Sequence, residues 1–393
     1  MERKTGTKAY AIRTPIVKKG DNLKEIAFNS IMEARDYENF DIEDKDIVAI
    51  TESLLARSQG NYVSLEEVTE SLNELFNDEI SVVFPILSRN RFSLIMKAIA
   101  NTGKKIKVFL SYPNDEVGNS LISKYSLMAS DINIYKDTLT EEEFRKIAKD
   151  EVYHPFTGID YLELYKSFNV DDNIEIFISN NLEDIASMSK EILICNIHER
   201  DFLLNYFKEK KLENVYSMSD IMNKPINGSQ YNEEYGLYGS NLSSKTMLKL
   251  FPRNSQVFVE DLQNLIYEKT GKKVEVMIYG DGAFKDPVGQ IWELADPVVS
   301  PGFTSGLVGL PNEIKLKYVA DNESGTEKEV EEKIKKKIKE KSKNLKGKEE
   351  SLGTTPRQIT DLVGSLSDLM SGSGDKGTPL IYIKGYFDNY ADE

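Results

Sequence analysis

The sequence predicts an α/β protein: an α+β core interrupted by an inserted, Rossmann-like unit with a parallel sheet. Two observations carry this. Between Lys105 and about Ser219, short apolar runs alternate strictly with helical segments. That is the pattern of βαβ crossovers, which lay strands parallel and cover the sheet with helices. On either side the alternation is less regular, and 393 residues allow two or three domains with ample core. The expected division is a core from 1–104 and 236–393 around an inserted α/β domain at 105–235.

Taken in order, 10–17 reads as a strand, and Asp21 caps a helix over 22–34. Asp46-Ile47-Val48-Ala49-Ile50-Thr51 is a short apolar strand ending on polar residues. Ser64 with Glu67 makes a capping box at a helix start, and a further helix covers 88–101, stopped by Gly103. In the alternating region, strands are expected at 106–110, 132–135, 174–178, 192–197 and 214–218. Helices lie between them, including 141–149, opened by Thr140 with Glu143, and 200–210. A polar connector rich in Gly and Tyr, 227–244, leads to a helix at 259–270, a strand at 274–279, a long loop and a strand at 314–320. Within 327–350 most residues are Lys or Glu, but Val330, Ile334 and Ile338 fall four apart and put a thin apolar stripe on a solvated helix. A helix over 357–370 and a strand over 380–384 close the chain.

Composition excludes several function classes. A formal net charge of -15 repels a nucleic-acid backbone or an anionic membrane, so neither is expected as partner. The single cysteine, Cys195, lies in an apolar run and reads as a buried small hydrophobe in a reducing compartment. No run approaches a membrane span, and a cytoplasmic address is expected. With two histidines, His154 and His198, any metal would rest on Asp and Glu oxygens, which favours Mg²⁺ or Mn²⁺ over Zn²⁺.

Five segments are candidates for chemistry. From Thr51 to Asn61, polar groups including Glu52, Ser53 and Arg57 bunch at the end of a buried strand, where α/β sheets meet ligands and an Arg among hydroxyls can clamp phosphate. An ordinary polar turn accounts for the same residues. Gly280-Asp281-Gly282 is a tight turn followed by Asp286, Glu293 and Asp296, enough oxygen ligands for a hard cation. Ser111 to Asn119, with Asp115, is of the same kind. Gly239 to Thr246 nearly spells a phosphate-binding loop, but Ser244 stands where glycine is needed and no strand precedes it, so that reading is set aside. His154, in Tyr153-His154-Pro155, is either a base or phosphate contact or a packed turn residue, and His198 reads as structural. No GxSxG, HExxH, CxxC, kinase set or dinucleotide GxGxxG is present.

In order and content, three blocks resemble the coenzyme F-420-0:L-glutamate ligase (gamma-glutamyl ligase) family. They are Gly20-Asp21-Asn22-Leu23 with 46–60; Thr270-Gly271-Lys272-Lys273-Val274 running into an Asp-bearing strand end; and Tyr318 to Asp321 with 359–370, Ser371 to Pro379 and Ile383-Lys384-Gly385. The resemblance implies a ligase that uses GTP or ATP with Mg²⁺ or Mn²⁺, activates a carboxylate acceptor as an acyl phosphate and traps it with an amino acid, L-glutamate. It places Asp281 and Asp286 as catalytic and metal-holding residues, with Asp115 as a further metal ligand. Thr51, Glu52, Ser53, Arg57 and Asn61 would line the nucleotide, and His154, Asn119 and Asn241 the substrate. It further implies a homodimer. The sequence departs from the family in its Gly280-Asp281-Gly282-Ala283 strand end and in Phe284-Lys285-Asp286-Pro287, where the family carries arginines. The alternative is a non-catalytic metabolite- or nucleotide-binding protein on the same fold; a group-transfer enzyme acting through the inserted unit is a third reading.

Overall fold

The computed structural model describes residues 5–392 apart from 156, 213, 281–283, 286–291, 294–299, 355–356 and 373. Strand β1, Lys8–Ile12, leads to helix α1, Leu23–Glu38. Its cap is Asn22, which accepts from the Glu25 amide, while Asp21 accepts from the Lys18 amide at 2.7 Å and closes the preceding turn instead. Strand β2, Ile47–Thr51, passes without a loop into α2, Glu52–Gln59. Gly60, at φ +65°, ends that helix in the left-handed conformation and lets the chain reverse into β3, Tyr62–Ser64. The expected capping box opens α3, Leu65–Leu75: the Glu67 amide donates to Ser64 Oγ at 3.1 Å and the Ser64 amide to Glu67 Oε2 at 2.6 Å. Ser64→Ala is expected to lower the unfolding free energy by about 1 kcal/mol in urea denaturation. An unchanged midpoint would mean that packing alone fixes this helix start.

A second sheet begins at β4, Glu79–Val83, and continues after α4, Ser93–Ala100, with β5, Lys105–Leu110. Then come α5, Lys124–Met128; β6, Leu139–Thr140; α6, Glu141–Ala148; and α7, Tyr161–Lys166. The unit ends with β7, Ile174–Ile178; α8, Leu182–Met188; β8, Glu191–Ile194; α9, Arg200–Glu209; and β9, Asn214–Ser217. Its order is β6-β7-β5-β4-β8-β9, all parallel except the edge strand β6. The chain thus lays β5 and β7 to one side of β4, then returns to lay β8 and β9 on the other. The central strand lies upstream of residue 105. Polar Glu79 and Ser81 disguise it in the sequence, yet both are buried: Glu79 takes Lys107 Nζ at 2.9 Å and the Ser81 hydroxyl at 3.3 Å. Residues 132–135, expected as a strand, form a turn held by the Asn133 amide on Asp137 Oδ2 at 2.7 Å; the sheet edge is taken by Leu139–Thr140.

Strands β10, Asn241–Ser244, and β11, Met247–Lys249, form a hairpin that pairs with β3. Helix α10, Ser255–Thr270, precedes β12, Glu275–Tyr279. Strands β13, Phe284–Lys285, and β14, Trp292–Glu293, pair with each other, and β15, Gly302–Phe303, pairs with β12. Helices α11, Leu316–Asn322, α12, Glu327–Glu340, and α13, Ile359–Met370, precede β16, Leu380–Lys384. Helix α11 stands where 314–320 is expected as a strand, because Val319 packs on Ile334 and Ile338, the apolar stripe of α12.

The first sheet, β1-β16-β2-β12-β15, is covered on both faces, as its continuous apolar strands require. Val48, Ile50, Val276 and Ile278 face α1 and α10, while Ala49, Met277, Ile381 and Ile383 face α13 and Leu307. Strands β2 and β12 are its parallel pair, and β16 runs antiparallel to β1 and β2. Among the described residues, no helix is long and apolar enough to cross a membrane.

Candidate active site

The parallel pairing sets Thr51 opposite Tyr279, so β2 and β12 end together. Beyond Thr51 the chain turns at once into α2; beyond Tyr279 it enters buried Gly280 and the segment carrying Asp281 and Asp286. Both aspartates lie outside the described residues. Thr51 occupies the N-cap position of α2, but its side chain caps nothing, and its own amide donates to Pro379 O at 3.1 Å. The first amides of α2 therefore look onto the edge where β12 also ends, and a helix N-terminus favours negative charge.

Along α2, Ser53 and Arg57 are four residues apart and share an exposed face. The Arg57 Nε–H donates to Val17 O at 2.6 Å, which ties the helix to the loop after β1. Glu52 and Asn61 differ from the expected nucleotide contacts in being engaged inside the fold. Glu52 accepts from Lys249 Nζ at 2.5 Å with both side chains nearly buried. Asn61, wholly buried, donates from Nδ2 to Phe251 O at 2.7 Å. Of the expected nucleotide contacts, Thr51, Ser53 and Arg57 remain accessible.

Asp115, Asn119 and His154 belong to the second sheet's unit, and the structure brings them together in a buried network. Asp115 accepts from the amides of Leu87, Val117 and Asn119 at 2.9, 3.0 and 2.8 Å and from Asn119 Nδ2 at 2.8 Å. Burial nonetheless pushes its carboxyl up to about 6, against the lowering effect of those bonds. His154 Nδ1 accepts from the Thr157 amide at 3.3 Å, which assigns the proton to Nε2 and makes it the donor to Asn119 Oδ1 at 3.4 Å. Burial also lowers the His154 pKa and keeps the ring neutral. With four N–H groups already pointed at its oxygens, Asp115 is a turn anchor ill suited to a cation. Asn241 lies elsewhere, at the start of β10 opposite Lys249.

One feature escaped the sequence reading. A cavity of about 660 Å³ opens at the ends of β4, β5, β7 and β8, lined by Phe84, Ser111, Asn180 and Asn196 among others. His198 lines it as well, and its Nδ1 meets the buried Glu116 carboxylate at 2.7 Å. That hydrogen bond raises the His198 pKa. Glu116 also takes the amides of Ile197 and His198, fastening the loop after β5 to the loop after β8. The signal available in the sequence was a polar residue within two positions of three of those strand ends, Ser111 after β5, Asn180 after β7 and Asn196 after β8. Among the described residues, no group of His, Cys, Asp and Glu is arranged to hold a metal ion.

The family model for F420-0:Gamma-glutamyl ligase matches residues 11–385. No curated protein matches the chain. Among solved structures, the biosynthetic arginine decarboxylase SpeA from Campylobacter jejuni matches at 10% identity, covering 92% of this chain and 67% of that one, with a TM-score of 0.15, too low to support any argument.

Proposed function

Because the chain belongs to the F420-0:gamma-glutamyl ligase family, we propose that it joins an amino acid, L-glutamate, to a carboxylate acceptor at the expense of GTP or ATP. An acceptor carboxylate oxygen would attack the γ-phosphorus and the nucleoside diphosphate would leave. The glutamate amine would then attack the acyl carbon, lose a proton and expel inorganic phosphate, leaving an amide.

One observation carries this reading: Thr51 and Tyr279 are paired in adjacent parallel strands, so the α2 N-terminus and the segment from Gly280 leave the sheet together. In this arrangement the first amides of α2, with Thr51 and Ser53, meet phosphate oxygens. Arg57, on the same exposed face as Ser53, adds positive charge one turn further on. The carboxylates assigned to Mg²⁺ or Mn²⁺ are Asp281 and Asp286, oxygen donors suited to a hard cation; Asp115, enclosed by N–H donors, does not fit. A bound divalent ion would offset the triphosphate charge during transfer.

The test is nucleoside diphosphate release, measured with GTP or ATP and Mn²⁺ across a panel of amino acids and carboxylate acceptors. Release beyond one equivalent per enzyme is expected to require both an amine and an acceptor, and Asp281→Asn is expected to reduce it at least about a hundredfold, as loss of a phosphate-transfer group does. Nucleotide with metal should also raise the melting temperature of the wild type. Release indifferent to the amine, or no stabilisation by either nucleotide, would refute the ligase assignment in favour of a binding protein.

A further inference from the structure

The cavity in the second sheet lies where the strand order reverses between β4 and β8, at the carboxyl ends of parallel strands. Loops diverge at such a point and leave a crevice between them. The volume of about 660 Å³ is within the range of small-molecule sites.

Three features restrict what fits. Aromatic walls come first: Phe84 lines the cavity, and Tyr135 and Phe202 line it while remaining 76% and 59% exposed, so ring surface is open for stacking. Asn196 is next, only 6% exposed. Its Oδ1 accepts from the Glu199 amide at 2.7 Å, which fixes the orientation of the group, and its Nδ2 has no hydrogen-bond partner among the described residues. This donor, on an otherwise buried side chain, is open to the cavity and can give its hydrogen bond to an acceptor there. Last is charge. Asp115, Glu116 and Glu199 surround the site against one imidazole, His198, whose Nδ1 is already held by Glu116. The loop after β4 opens Phe84-Pro85-Ile86-Leu87, with no glycine to let backbone amides cradle a phosphate.

We propose that this crevice binds an uncharged, planar heteroaromatic molecule of nucleoside size, stacked on Tyr135 and Phe202 and accepting a hydrogen bond from Asn196 Nδ2. The site is separate from the strand-end edge of β2 and β12 and stands whether or not the ligase reading does.

Isothermal titration of the full chain with adenosine, guanosine, cytidine and uridine, and with their 5′-monophosphates, tests it. At least one nucleoside is expected to bind with a Kd below about 1 mM, and its monophosphate at least about tenfold more weakly. Asn196→Leu and Phe202→Ala are each expected to weaken binding about tenfold, and saturating GTP with Mn²⁺ to leave it unchanged. Phe202 is exposed, so its truncation tests the site even if the Asn196 variant fails to fold. The proposal is overturned if no nucleoside binds, if neither substitution matters, if the monophosphate binds as well as the nucleoside, or if GTP displaces it.

Discussion

Lys249→Met is expected to cost about 3–5 kcal/mol of unfolding free energy, because it strips a buried carboxylate of its cation. Lys249 and Glu52 meet at 2.5 Å with side chains 7% and 6% exposed. Their strands and helices come from different parts of the fold: Lys249 ends β11 opposite Tyr62 and Asn241, and Glu52 is the first residue of α2. Removing the ammonium leaves Glu52 charged in a low-dielectric setting, and neutralising both partners should relieve most of the loss. Lys249→Met combined with Glu52→Gln is therefore expected to recover about half or more of the single variant's deficit in urea unfolding. Equal losses for the single and double variants would show that lost packing of the lysine stem, not the stranded charge, is responsible. Since Glu52 directly follows Thr51, the single variant should also displace the α2 N-terminus and depress ligase turnover.

The same pair shows where sequence reasoning stops. The strand at 46–51 and the capping boxes at Ser64 and Thr140 are legible because each is a local pattern whose physics is complete within a few residues. Glu52 looked like one more polar group at a strand end, and nothing within ten residues of it announces Lys249, almost two hundred positions away. Asn61 and Asp115 show the same limit. A buried amide or carboxylate held by groups of the fold has the same letter as one aimed at a ligand. The alternation that disclosed the parallel sheet was legible from 105 onward, but its central strand was hidden by Glu79 and Ser81, polar residues that hydrogen-bond to each other inside the sheet. The parallel pairing of β2 with β12, which brings two distant motifs to one edge, depends on contacts that no local pattern encodes.

Asp115→Asn is expected to destabilise the protein by about 2–4 kcal/mol near pH 7, since the Asn amide nitrogen must confront N–H donors that the carboxylate now satisfies. Those donors are the amides of Leu87, Val117 and Asn119 and the Asn119 side chain, so the substitution loosens the loops after β4 and β5 together. The pH dependence has a distinctive sign. Burial raises the native carboxyl from 3.8 to about 6, so between those values the native state holds a proton that the unfolded chain releases. This group's contribution is therefore most favourable below about pH 4 and is lost as pH rises through about 6, by on the order of 3 kcal/mol. Carboxylates with lowered pKa, such as Glu141 beside Lys166 and Arg145 and Glu191 beside Asn214, push stability the other way over the acid range. The informative quantity is thus the difference between wild type and variant, in which those background groups cancel. Urea unfolding at intervals from pH 4 to 7 should show the gap widest at the acid end and narrowing toward neutrality. A gap that widens with pH would mean that the four N–H bonds outweigh burial and that Asp115 is anionic in the native protein throughout this range.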